Sequence, residues 1–153
     1  MTTYVDSSAL VAVYVPERFS EAARRTLRAV PQVPFTQLHE LELTNAFELL
    51  RGRGLINEEE RRAIQAQLQE DIESQRLARV SMDLEHVFRD AGELSRAHSA
   101  KFLTRSLDLL HVAAAHVAMC TMFVSADDRQ LAVAKATGLK AVDIKRRARG
   151  QKS

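Results

Sequence analysis

A chain of 153 residues, 46% hydrophobic and 27% charged, has the size and composition of a single globular domain with its own core. A formal charge of +2 is too mild to mark a nucleic-acid binder by itself, and one cysteine, Cys120, excludes a disulfide framework or a thiolate zinc cage. No apolar run reaches bilayer length and no signal-peptide pattern precedes the first strand, so an intracellular, cytoplasmic protein is expected.

Tyr4 and Val5 read as a short buried strand that Asp6 ends. Ser7 and Ser8 then offer N-cap chemistry to the apolar run 9–15, which Pro16 stops. Residues 17–30 have the period of an amphipathic helix, with Phe19, Ala22, Ala23, Leu27 and Val30 apolar. Val33 and Phe35 suggest a brief strand. Thr36 has the character of an N-cap for a helix running to about Arg51, closed by Gly52 and Gly54. Asn57 caps the next helix, with Glu60 at the capping-box position and Ile64, Leu68 and Ile72 along it. This helical hairpin is highly charged outside and is expected to protrude or to meet a partner.

Residues 77–82 read as a further strand, 83–100 as a helix and 101–105 as a loop. Residues 106–119 form the most apolar helix, with Ala113-Ala114-Ala115 at its middle implying close packing. Cys120 reads as a small core residue. Met122, Phe123 and Val124 form a buried strand ending at Ser125-Ala126-Asp127-Asp128. Residues 131–137 are helical, Gly138 is the C-cap, and Ala141 with Val142 makes a last short strand. Strands alternating with helices, with no hairpin signal, indicate an α/β fold around a mostly parallel sheet covered on both faces. From Leu139 onward, Lys140, Lys145, Arg146, Arg147, Arg149 and Lys152 face a single acid, Asp143. Such a segment either attracts phosphate backbones or is a solvated terminus.

Four acids fall where a surface acid is not expected. Asp6 and Asp127 both end a buried strand at the mouth of a helix, where open α/β sheets place ligands, although capping alone also accounts for an Asp there. Glu42 shares a helix face with Leu38, Asn45 and Ala46, which makes it half-buried. Asp108 opens the most apolar helix; the helix dipole favours any acid in that turn but does not explain leucines on both sides. Four carboxylates at one sheet edge repel, and protonation or a cation must relieve them. A hard, oxygen-seeking ion, Mg²⁺ or Mn²⁺, suits that donor set. His39, His86, His98, His111 and His116 show no zinc-binding spacing, and His111 is expected to be a helix-packing residue bonded to nearby backbone.

With these residues placed, the sequence resembles the PIN-domain family and, within it, the VapC-type toxins of toxin–antitoxin pairs. The resemblance lies in Tyr4-Val5-Asp6-Ser7-Ser8-Ala9-Leu10, Glu42-Leu43-Thr44-Asn45-Ala46, Leu107-Asp108-Leu109-Leu110-His111-Val112-Ala113-Ala114-Ala115, and Val124-Ser125-Ala126-Asp127 continuing to Leu131 and Gly138-Leu139. It implies one PIN-like α/β/α sandwich over residues 1–144, followed by a basic tail over 145–153. It further implies a metal-dependent endoribonuclease toxin in which Asp6, Glu42, Asp108 and Asp127 hold Mg²⁺ or Mn²⁺. Ser7 and Ser125 are secondary candidates for orienting the carboxylates or a water. Asp127 and Asp128 compete for the fourth acid position, and family spacing from Ser125 favours Asp127. The implied partners are RNA, led in by Arg105 and the tail, an antitoxin at the 36–75 hairpin, and a second copy in a homodimer. Two rival readings are a PIN nuclease of RNA processing or DNA repair, and a non-catalytic RNA-binding α/β module whose acids are caps. A phospho-accepting Asp is disfavoured by the strand count, the lack of a suitable Lys near the last strands, and the placement of Glu42 on a helix.

Overall fold

The computed structural model describes residues 2–149. Strands β1 (Thr3–Val5), β2 (Val33–Phe35), β3 (Leu77–Arg79), β4 (Met122–Ser125) and β5 (Lys140–Asp143) alternate with helices. The helices are α1 (Ser7–Tyr14), α2 (Ser20–Arg28), α3 (Gln37–Gly52), α4 (Glu58–Glu73), α5 (Leu84–Leu94), α6 (Ala100–Phe102), α7 (Ser106–Val117), α8 (Asp128–Ala136) and α9 (Ile144–Arg149). All strand pairs are parallel, in the order β1-β4-β5 and, separately, β2-β3. The expected α/β architecture is present, with its parallel sheet in two hydrogen-bonded pieces.

His39 explains how the pieces stay together. β2 lies beside β1, and the buried His39 ring occupies the seam, its Nε2–H donating to the Val5 carbonyl at 2.7 Å. A carbonyl only accepts, so Nδ1 is the unprotonated nitrogen and receives the Thr36 backbone N–H at 3.1 Å. Burial, with the neighbouring His111 ring, pushes the His39 pKa down to about 3 and keeps the imidazole neutral.

Alternation along the strands divides the core in two. Tyr4 and Phe123 are paired in register and stack with centroids 5.6 Å apart on one face. There they join Leu109, Val112 and Val133. Val5 and Val124, one residue on, point to the other face with Leu10, Leu27, Phe35, Leu43 and Phe47.

Several boundaries differ from expectation for local reasons. Asp6 itself, not Ser7 or Ser8, caps α1, so the helix starts at Ser7. Asp127 caps α8 in the same way and brings its start forward to Asp128. The first amphipathic helix is shorter than 17–30, and the strand expected over 77–82 ends at Arg79. After α5 the chain continues through a π-helical turn, Ser95–Ser99, into α6, so helix extends into the expected 101–105 loop. Leu103 then adopts a left-handed conformation, φ 55°, and redirects the chain into α7. α9 packs beside α2, and residues 150–153 of the basic segment lie outside the described residues. Ala113, Ala114 and Ala115 are buried within the chain, where α7 lies against α5. Their close packing therefore serves the domain's own core. Among the described residues, no helix is long and apolar enough to cross a membrane.

Candidate active site at the ends of β1 and β4

The site is built by two adjacent parallel strands whose last residues are followed at once by helix N-termini. Asp6, 4% exposed, closes β1 and spends Oδ1 on the Ala9 N–H at 2.9 Å. Its Oδ2 faces the hydroxyls of Ser8 and Ser125, each at 2.9 Å. Ser125 ends β4 and also accepts the Asp127 N–H at 3.0 Å. Asp127 caps α8 through the Gln130 N–H at 2.9 Å, and the buried Gln130 side chain donates to the Asp108 carbonyl at 3.1 Å. A continuous hydrogen-bonded chain thus joins the first, third and fourth candidate acids. Burial pushes the Asp6 carboxyl up, opposed by the Ala9 amide, by His111 and by the two serine hydroxyls.

Glu42 reaches the site from α3. Its Oε1 accepts from the Ser7 hydroxyl at 2.9 Å and contacts His111 Nε2. Burial raises the Glu42 carboxyl, but the bonds from His111 and Ser7 outweigh it and hold the group below the usual carboxylate range. The His111 ring is buried, lies 3.1 Å from the Ser7 hydroxyl, and takes the Tyr4 hydroxyl on Nδ1 at 2.8 Å. Burial pushes the Tyr4 phenol well up, so it stays protonated and able to donate.

Asp108 and Asp127 face the same cation. Arg105 Nε donates to Asp108 Oδ2 at 3.0 Å, and its Nη2 lies 3.8 Å from Asp127 Oδ2. Arg105 is 75% exposed. With Glu42, Ser106, Leu107 and Asp108 it lines an open cavity of about 550 Å³. Asp128 points elsewhere: it is 82% exposed and pairs with Lys145 Nζ at 2.8 Å.

Of the residues singled out in the sequence, Asp6, Ser7, Glu42, Asp108, Ser125 and Asp127 are therefore linked in one region, and Asp128 faces outward. As they stand, no group of three His, Cys, Asp or Glu side chains among the described residues is close enough together to hold a metal ion. The chemistry of the donors nevertheless fits a hard cation: the donors are carboxylate and hydroxyl oxygens, and two of the carboxylates already share a guanidinium.

Sequence reasoning missed four participants: Tyr4, His111 as a side-chain partner, Gln130, and Arg105 as the counter-ion of two acids. His111 does pack inside the fold as expected, but it bonds to Tyr4, Ser7 and Glu42 and not to backbone. One signal was available for it. His111 lies three residues after Asp108 and so shares its helix face.

The sequence pattern described as the PIN domain matches residues 3–136. Curated protein sequences give no match. Among solved structures, the chain is similar to FitAcB from Neisseria gonorrhoeae, with a TM-score of 0.67 and 13% identity over 94% of this chain and 98% of that one. It is also similar to VapBC2 from Rickettsia felis, bound there to a DNA fragment from their promoter, with a TM-score of 0.62 and 16% identity over 94% and 98% of the two chains. At these identities the likeness speaks for the fold alone.

Proposed function

The chain belongs to the PIN-domain family, a family of nucleases, and on that premise we propose that it is a divalent-metal-dependent endoribonuclease acting as the toxin of a toxin–antitoxin pair. The observation that carries this reading is the hydrogen-bonded chain from Asp6 through Ser125 to Asp127, Gln130 and Asp108. It ties three separated stretches of sequence to the carboxyl ends of β1 and β4, which independent helix caps at Asp6 and Asp127 would not require.

Asp6, Glu42, Asp108 and Asp127 would hold Mg²⁺ or Mn²⁺. Such an ion supplies a nucleophilic water at neutral pH and offsets charge on the phosphoryl and leaving oxygens. The chain's own groups then have distinct tasks. Ser125 and Ser8 orient the Asp6 carboxylate, and Ser7 and His111 orient Glu42. Arg105, exposed at the mouth of the cavity, is placed to meet a substrate phosphate.

The antitoxin partner is supported by the fold shared with VapBC2 and FitAcB and by an apolar groove next to the acids. Leu41, Leu84, Phe88 and Leu107 are exposed around this groove of about 280 Å³, between α3, α5 and the start of α7. The α3 side of the groove belongs to the hairpin over 36–75 expected to meet an antitoxin. A homodimer, with the protein in the cytoplasm, completes the proposal.

A second reading also has an observation in its favour. Asp6 and Asp127 are both real N-caps with their oxygens in use, as a non-catalytic RNA-binding module would have them. Cleavage of RNA by the purified chain with Mn²⁺ and with EDTA separates the two. A nuclease loses cleavage in EDTA, whereas a binding module retains RNA and cuts under neither condition.

A further inference from the structure

Resting on the reading of Glu42 as a metal ligand, we propose that His111 is the positioning residue for that carboxylate. The ring is buried and engaged at both nitrogens. A carboxylate only accepts, so Nε2 carries the proton that faces Glu42 Oε1, and in the neutral ring Nδ1 is then the acceptor for the Tyr4 hydroxyl at 2.8 Å. The Ser7 hydroxyl adds a second donor to the same Oε1 at 2.9 Å. Both donors converge on one carboxylate oxygen of a residue that lines the cavity, which fixes the side chain and leaves Oε2 outside these two bonds for a cation.

The support runs back into the sheet. Tyr4 is a β1 residue stacked on Phe123 of β4, and its ring centroid lies 5.0 Å from that of His39. Glu42, the candidate acid that comes from neither a strand end nor α7, thereby takes its orientation from the same two strands that set Asp6 and Ser125. α7 supplies one acid, Asp108, and one turn later the support for another. A side chain that only filled core space would be apolar, because burying two ring nitrogens costs free energy unless both are bonded.

The test uses two variants that keep different halves of the ring's bonding. His111→Gln places an amide donor near the Nε2 position, towards Glu42. His111→Asn is too short for that contact and retains polarity only near Nδ1, towards Tyr4. Mn²⁺ binding to the purified full chain is measured by titration calorimetry, with melting temperature and RNA cleavage alongside. Outer-shell support of a ligand is worth about 10- to 100-fold in metal affinity. His111→Asn is expected to weaken Mn²⁺ binding by about that factor. The Mn²⁺ needed for half-maximal cleavage should rise equally, with the RNA KM unchanged and kcat recovered at saturating Mn²⁺. His111→Gln is expected to recover most of the affinity. Equal Mn²⁺ affinity in His111→Asn and wild type, or equal losses in both variants that track melting temperature, would overturn the proposal.

If neither variant folds, Tyr4→Phe carries the test, since it removes only the hydroxyl that fixes Nδ1. It should weaken Mn²⁺ binding about threefold or more, the worth of one hydrogen bond, and unchanged affinity would overturn the proposal. Wild type that binds no Mn²⁺, with Glu42→Gln indistinguishable from it, defeats the metal-site reading itself and the positioning role with it.

Discussion

The Ser125 hydroxyl lies 2.9 Å from the Asp6 carboxylate, linking residues 119 positions apart at the ends of neighbouring parallel strands. The register that pairs Val5 with Val124 brings the next residue of each segment side by side, and the Asp6 N–H donates to the Val124 carbonyl at 3.0 Å. Asp6 consequently has two roles, capping α1 and belonging to the acid cluster, and the two respond differently to substitution.

Asp6→Asn should keep the cap, since Asn and Asp are equally good N-caps. The raised Asp6 pKa means that the native state binds protons more tightly than the unfolded chain. That group's contribution therefore falls as pH rises from 3.8, and at neutral pH it is a deficit that the neutral amide removes. The expected outcome is a melting temperature at pH 7 equal to or above wild type, with cleavage reduced at least about 100-fold, as loss of a direct ligand should cost no less than loss of its support. Thermal melts beside an RNA cleavage assay check both halves. Asp6→Ala, by contrast, loses the cap and should cost about 1 kcal/mol of stability.

His39 predicts an acid-side loss of stability. Its native pKa of about 3 lies below the ordinary value of 6.5, so between these values the unfolded state binds the extra proton. Stability from this group is complete above pH 6.5 and is lost as pH falls towards 3, at up to about 1.4 kcal/mol per pH unit. Urea unfolding at a series of pH values measures that slope. A chain equally stable at pH 7 and pH 5 would contradict it.

Arg105 is exposed, and its ion pair with Asp108 is worth at most about 1 kcal/mol. Arg105→Gln should leave the melting temperature nearly unchanged. If the guanidinium meets a substrate phosphate, the variant raises the RNA KM and lowers the salt dependence of binding by about one counter-ion. Filter binding at several salt concentrations, in EDTA to suppress cleavage, reads this directly.

The alanine run of α7 should tolerate no added bulk. Ala113 is fully buried. Ala113→Leu forces extra methylenes into a packed core and is expected to destabilise by about 1–3 kcal/mol. Chemical denaturation gives the value. A neutral result would mean that the run faces open space.

The strands and their parallel direction were legible because buried β-branched and aromatic pairs such as Tyr4-Val5 and Phe123-Val124 stand between helical periods. The candidate acids stood out because strand ends at a helix mouth are where open α/β sheets place ligands and a leucine-flanked first turn is an unusual place for a charge. Contacts between distant residues were not. No spacing rule connects Tyr4 to His111 or Gln130 to the Asp108 carbonyl, since each depends on how α7 and α8 settle against the sheet. Neither the seam that His39 fills between β1 and β2 nor the π-helical turn at Ser95–Ser99 has a signature in local propensity. The cap at Asp6 was weighed but assigned one residue late, because Asp, Ser and Ser all cap well and only the backbone decides among them.

The most direct measurement is cleavage of a mixed RNA pool by the purified chain, freed of any bound partner, with Mn²⁺ or Mg²⁺ and with EDTA, wild type beside Asp108→Asn. Asp108 caps no helix, so Asn in its place is expected to leave the fold undisturbed. Cleavage that requires the metal and disappears in Asp108→Asn at an unchanged melting temperature is the result predicted here. RNA bound but left intact by both proteins at every metal concentration would contradict the nuclease account.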